Sequence, residues 1–222
     1  MTINADFSQR VVVHGDEMTW QASPIAGIQR KMFDRIGDEV ARATSLVRYD
    51  PETQFSPHVH TGGEEFIVLE GLFQDEYGDY PAGSYVRNPP LSKHTPGSKS
   101  GCLIFVKLWQ FDLSSRTHLR LNMNTIKAEP VFGRPGVSVI PLHSDSREDV
   151  RLEIWQPGAQ VSIDTNGGAE VLVLKGSIKQ GGENLRYLSW LRMPLGSQLI
   201  AKAGPIGAQV WVKTNHLQYV DT

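Results

Sequence analysis

The 222 residues predict an all-β chain built as two tandem antiparallel sandwich or barrel modules, 1–125 and 126–222. Three observations carry that expectation. Short apolar runs, such as Phe66-Ile67-Val68-Leu69 and Leu103-Ile104-Phe105-Val106, follow one another between turn residues, which is the spacing of a sandwich or barrel. The stretch Gly62-Gly63-Glu64-Glu65-Phe66-Ile67-Val68-Leu69-Glu70-Gly71 recurs as Gly167-Gly168-Ala169-Glu170-Val171-Leu172-Val173-Leu174-Lys175-Gly176, 105 positions on. The same offset then continues without gaps, pairing Phe73 with Ile178, Tyr85 with Trp190, Arg87 with Arg192 and Pro89 with Pro194, which argues for duplication.

Taken in order, the chain opens polar and reaches a first strand at Arg10-Val11-Val12-Val13, closed by the turn residues His14-Gly15-Asp16. From Gly27 to Asp34 the residues are charged without a helical stripe, and Gly37 interrupts any helix, so 28–35 and 41–49 read as a strand pair. Phe66–Leu69 reads as a buried strand that continues through Gly71-Leu72-Phe73 after a kink. Asp75 to Asp79 reads as a solvated turn, and Pro81-Ala82-Gly83 leads into Tyr85-Val86. Pro89, Pro90 and Pro96 cannot donate to a ladder, so the segment carrying His94 is expected to be a loop or an edge. Trp109 closes the first module, and 112–130 reads as a linker with one strand or a short helix.

Composition excludes several classes. A formal charge of −2 and no basic run longer than Arg30-Lys31 give no nucleic-acid footprint. The N-terminus has no apolar signal region and no apolar run is long enough to span a bilayer, so a cytoplasmic protein without a membrane partner is expected. The single cysteine, Cys102, rules out an intrachain disulfide, fits a reducing compartment and reads as a buried, inert thiol. A homodimer is expected because this is the commonest soluble assembly.

The chemistry concentrates between Pro57 and His94. His58 and His60 stand at i and i+2, so in a strand both imidazoles project to one face. Glu64 follows a Gly-Gly turn, and His94 comes thirty residues later. Three nitrogens and one oxygen suit one first-row divalent cation, whereas calcium or magnesium would take mostly oxygen. Tetrahedral zinc would be saturated by these four ligands, leaving a structural or sensory site. Six-coordinate iron, manganese or nickel would keep two positions open. No catalytic acid or base can be singled out.

At the same offset the second copy carries Ile163, Thr165, Ala169 and Leu199, so it is expected to keep the fold and lack the ion. Glu170 survives where Glu65 stands, which assigns Glu65 to the framework and Glu64 to the metal face. Arg87 and Arg192 recur and read as structural. His14, His118, His143 and His216 read as isolated, and Tyr49, Phe66, Tyr85, Phe105 and Trp109 as core or pocket lining.

These residues also carry a family resemblance. His58, His60, Glu64 and Gly71 fit H-x-H-x₃-E-x₆-G, and Gly83, Pro89 and His94 fit the second motif of the cupins, with Leu91 where a glycine and Ser98 where an asparagine is expected. More narrowly, 42–109, through ARATSLVRYDP, HVHTGGEEFIVLEG, DYPAGSYVRNPP and GCLIFVKLWQF, resembles the cupin domain of the ChrR anti-sigma factors. The resemblance implies a double-stranded β-helix (jelly-roll) fold in both modules, a bicupin, and an ion, zinc by this resemblance, held by His58, His60, Glu64 and His94. It implies a regulatory or stress-sensing role with a sigma factor or another regulatory protein as partner. The helical sigma-binding domain of those proteins, with its His/Cys zinc motif, has no counterpart in the sequence. A second branch of the same fold implies an Fe(II)-dependent dioxygenase that cleaves diketones.

Overall fold

Runs of β-branched and aromatic residues punctuated by glycines in the left-handed region leave strands as the only regular option. The computed structural model describes residues 1–38 and 40–220, and among these the only helical turns are short 3₁₀ segments at Met123–Thr125 and His216–Tyr219. The chain is all-β. Among the described residues, no helix is long and apolar enough to cross a membrane.

The chain divides into two units, Met1–Ala5 with Met18–Thr125, and Asp6–Glu17 with Ile126–Thr222. In the first, the strand Ile28–Gly37 pairs antiparallel with Ala41–Tyr49, which pairs with Cys102–Leu108. That strand pairs with Glu64–Asp75, which pairs with Ser84–Asn88, and Leu119–Asn122 closes the order. A separate two-stranded ribbon joins His58–His60 to Ser92–His94. The core under these strands holds Ile28, Val47, Phe66, Phe73, Val86 and Ile104. Cys102 lies in this core, where burial pushes its thiol up to about 11, which keeps it protonated and unreactive at neutral pH.

In the second unit the order runs from Val137–Ser144 through Asp149–Trp155, Leu199–Thr214, Ala169–Gln180 and Ser189–Met193 to Val11–His14. Its hydrophobic cluster includes Trp155, Val171, Val173, Leu191, Val210 and Val212.

One boundary departs from the sequence expectation. Residues 6–17 fall within the first module as read from sequence, 1–125, yet they belong to the second unit, where Val11–His14 pairs with Val11 opposite Arg192 and His14 opposite Ser189. Leu119–Asn122 adds to the first unit in the equivalent register, Leu119 opposite Arg87 and Asn122 opposite Ser84. The strand leading into each repeat therefore completes the sheet of the other. Linear repeat boundaries cannot show such an exchange, because a single edge strand carries pairing groups but no address.

Buried charge in both units centres on a glutamate and an arginine at matching positions. In the first, Tyr85 donates to Glu65 at 2.6 Å, and Arg87 lies 3.3 Å from Glu65 and over the Phe111 ring. In the second, Trp190 donates to Glu170 at 3.2 Å and Arg192 lies over Phe7. His216 is not isolated: its Nε2 is 3.0 Å from Glu170 Oε1 in a buried pair. Nor is His14 isolated, with Nδ1 2.9 Å from Ser189 Oγ, whereas His143 makes a local contact, 3.1 Å from Asp145. The fold brought Glu170 to His216 and Ser189 to His14 from residues distant in sequence.

Candidate metal centre

Strand alternation aims two imidazoles inward from a three-residue strand. Along His58–His60 the middle residue, Val59, is exposed, while His60 is only 9% exposed. Antiparallel pairing then sets His94 directly opposite His58. The ring centroids form a near-equilateral triangle, His58 to His60 4.7 Å, His60 to His94 4.8 Å and His58 to His94 5.2 Å.

Glu64 joins from the turn that follows. Gly63 has φ of +78° and its Cα lies against the Phe111 ring, so only glycine makes that turn without strain and collision. The turn starts the Glu64–Asp75 strand with Glu64 Oε2 3.4 Å from His60 Nε2 and 3.6 Å from His94 Nε2. Asn88, paired opposite Glu64 in the sheet, donates to the same oxygen at 3.1 Å and fixes its direction. No sequence pattern singles out Asn88 for this role.

The protonation pattern fits a cation. His94 Nδ1 faces Asp75 Oδ2 at 3.1 Å and His58 Nδ1 faces the Ser56 carbonyl at 3.0 Å, so in the neutral form each ring carries its proton on Nδ1 and presents Nε2 as a lone pair. His60 Nε2 and His94 Nε2 lie only 2.8 Å apart. Burial holds the His60 pKa below its ordinary value, against Glu64, and so keeps it neutral. Burial would also lower His94, but the Asp75 hydrogen bond, with Glu64 and Glu76, carries it above. Donor atoms of His58, His60 and His94 lie within 4.8 Å of one another. With Glu64 they make a buried His/Glu group that could hold a metal ion, and when bound such an ion supplies Lewis-acid or redox chemistry.

Asp75 corrects the reading of 75–79 as a solvated turn. Its side chain is 1% exposed, and besides His94 it accepts from Tyr80 Oη at 3.1 Å and from the Tyr77 amide at 2.8 Å. Burial alone would raise its pKa, but those hydrogen bonds hold it below the ordinary carboxylate value. A carboxylate that orients a ligating imidazole is worth about 10–100-fold in metal affinity. Asp75→Asn is therefore expected to weaken the ion by about that factor, read by competition with a chromophoric chelator.

Leu91 stands where the motif has glycine, and the backbone still adopts φ of +69° there. At the matching place in the second unit the residue is Gly196, at +66°. The Leu91 amide donates to the His60 carbonyl at 2.9 Å, so the strained turn ties the His94 segment to the His60 strand. A left-handed non-glycine residue costs about 1–2 kcal/mol. Leu91→Gly is expected to raise Tm by roughly 2–8 °C, measured by calorimetry.

A cavity of about 190 Å³ opens beside His58, His60 and Glu64, lined also by Tyr49 and by Arg30 and Arg35. Of the aromatic residues named from sequence, only Tyr49 lines it. Trp109 is 38% exposed and packs against Gly62, and Phe66 lies in the core. In the second unit Ile163 faces Leu199 across a strand pair, as His58 faces His94, and both join Ala169 in the apolar core, while Thr165 donates to the Ser197 carbonyl.

Residues 8–112 match the family model described as the ChrR cupin-like domain. No curated protein matches the chain. Among solved structures, a candidate dioxygenase from Nostoc punctiforme is 15% identical over 97% of this chain and 86% of that chain, with a TM-score of 0.77. A cupin 2 conserved barrel domain protein from Leptotrichia buccalis is 9% identical over 96% and 99%, with a TM-score of 0.63. The bacterial pirin YhhW from Escherichia coli in complex with nickel(II) is 15% identical over 92% and 98%, with a TM-score of 0.65. At these identities the likeness shows the fold alone, and that fold is the cupin.

Proposed function

From the premise that residues 8–112 belong to the ChrR cupin-like domain family, we propose that this chain is a cytoplasmic bicupin that binds one divalent metal ion in its first unit and uses it to register a small molecule or oxidant. The ligands are His58, His60, Glu64 and His94. The second unit is a cupin module without an ion. The observation that carries this reading is the convergence of three imidazoles and a carboxylate, two of the rings locked with their Nε2 lone pairs available. The matching apolar set at Ile163, Ala169 and Leu199 supports a metal-free twin. The output is regulatory, through a sigma factor or another regulatory protein, and the assembly is a homodimer. Zinc is the ion in this reading.

The open cavity favours one alternative, an Fe(II)-dependent dioxygenase of the diketone-cleaving type, since a saturated zinc site has no need of a cavity beside it. Protein purified without added metal, analysed for its elements and then mixed with acetylacetone in an oxygen electrode, separates the two. Zinc and no oxygen uptake support the regulatory reading. Iron with oxygen uptake stoichiometric in diketone replaces it. Thr165→Ala is expected to leave metal content unchanged in the same analysis.

A further inference from the structure

The cavity beside the imidazoles has two cationic walls that strict alternation would not provide. Arg30 and Arg35 are five residues apart on one strand, so a regular strand would send them to opposite faces. The pairing register instead shifts between Met32 and Asp34, a β-bulge that reverses the alternation. Arg30 then pairs opposite Val47 and Arg35 opposite Ala43, and all four line the same cavity.

The two guanidinium groups are differently committed. Arg35 donates from Nε to the Gly37 carbonyl at 3.2 Å and from Nη2 to the Asp38 carbonyl, which anchors it to its own hairpin. Arg30 is half-buried and has no hydrogen bond or ion pair to any described residue. Burial first, and then repulsion from Arg35, push its pKa below the ordinary arginine value. The Tyr49 hydroxyl is likewise without a partner among the described residues, and burial followed by Glu64 holds it in the protonated, donating form. The remaining wall is apolar, with Val47, Phe55, Ile104, Val106 and Leu108.

We infer that this cavity binds a small organic carboxylate, its charged end held by Arg30 and Arg35 and its short hydrocarbon body against Val47, Ile104 and Val106. The inference rests on the proposed metal site, whose His58, His60 and Glu64 line the same cavity at the far end of the molecule. Four features select this class. An unpaired guanidinium is a planar fork matched to a carboxylate. At about 190 Å³ the cavity lies below the drug-sized range, and takes roughly six waters' volume. The apolar wall needs a hydrocarbon portion. And the lining includes no glycine and no helix terminus, the backbone features that cradle phosphate.

Calorimetric titration with pyruvate, its neutral isostere pyruvamide and inorganic phosphate tests this on protein whose metal content has been measured, with and without chelator. Pyruvate is expected to bind, with affinity falling at least about tenfold in Arg30→Gln and partly recovering in Arg30→Lys, which keeps the charge and loses the fork. Metal content should be the same in both variants, and pyruvamide should bind at least about tenfold more weakly. Pyruvate binding that survives Arg30→Gln unchanged, an equal affinity for the neutral isostere, stronger binding of phosphate, or no pyruvate binding to ion-loaded protein would each overturn the inference. Arg30-dependent pyruvate binding by protein that holds no ion as purified and takes up none on addition of divalent cations would support it while removing the metal reading.

Discussion

Replacing His60 by alanine is expected to abolish stoichiometric metal binding and, with it, the part of the thermal stability that a chelator removes from the parent protein. His60 is the hub of the group: its Nε2 lies 2.8 Å from His94 Nε2 and 3.4 Å from Glu64 Oε2, so its loss leaves the other donors without a centre. An ion that binds only the folded state adds about 4 kcal/mol when its free concentration is a thousandfold above Kd. At roughly 2–4 °C per kcal/mol for a chain of this size, that is about 8–16 °C of Tm. Scanning calorimetry with and without EDTA should show that increment in the parent and none in His60→Ala. An equal chelator effect in both would mean that the ion sits elsewhere.

Ala169→Glu is expected to be the most destabilising substitution in the second unit. It restores a glutamate at the place equivalent to Glu64, but Ala169 is 0% exposed and belongs to a cluster with Ile163, Met193 and Leu199 that offers a carboxylate no donor from its side chains. An uncompensated buried charge costs about 3–5 kcal/mol, roughly 6–20 °C in Tm. Burial would raise this glutamate's folded pKa above its unfolded value. The damage should therefore be least below the ordinary carboxylate range and grow as pH rises through it. Melting curves across acid and neutral pH check both magnitude and sign. A variant as stable as the parent, or one that gains a second ion, would contradict the account of the second unit as a dry, metal-free twin.

What could be read from sequence, and what could not, follows from how local each signal is. Alternation at His58 and His60, and the glycine turn before Glu64, act within seven residues, and the structure brings these side chains together with His94. The strand pair read at 28–35 and 41–49 runs Ile28–Gly37 and Ala41–Tyr49 in the fold. Glu64 and Glu65 point apart as neighbours on a strand must, one to the histidines and one to Tyr85 and Arg87. Asp75 was misread because its turn composition looks solvated, while its partner His94 is nineteen residues away and reaches it only through the fold. Arg30 and Arg35 share a face only through a bulge, which no pattern of side chains announces. The exchange of Val11–His14 was hidden for the same reason: strand pairing is decided by geometry beyond the strand itself.

Elemental analysis of protein purified without added metal, for the parent, His60→Ala and Thr165→Ala, bears most directly on the proposed centre. The account predicts about one divalent ion per chain in the parent and in Thr165→Ala, and none in His60→Ala. A parent without an ion, or an ion that survives His60→Ala and departs with Thr165→Ala, would contradict it.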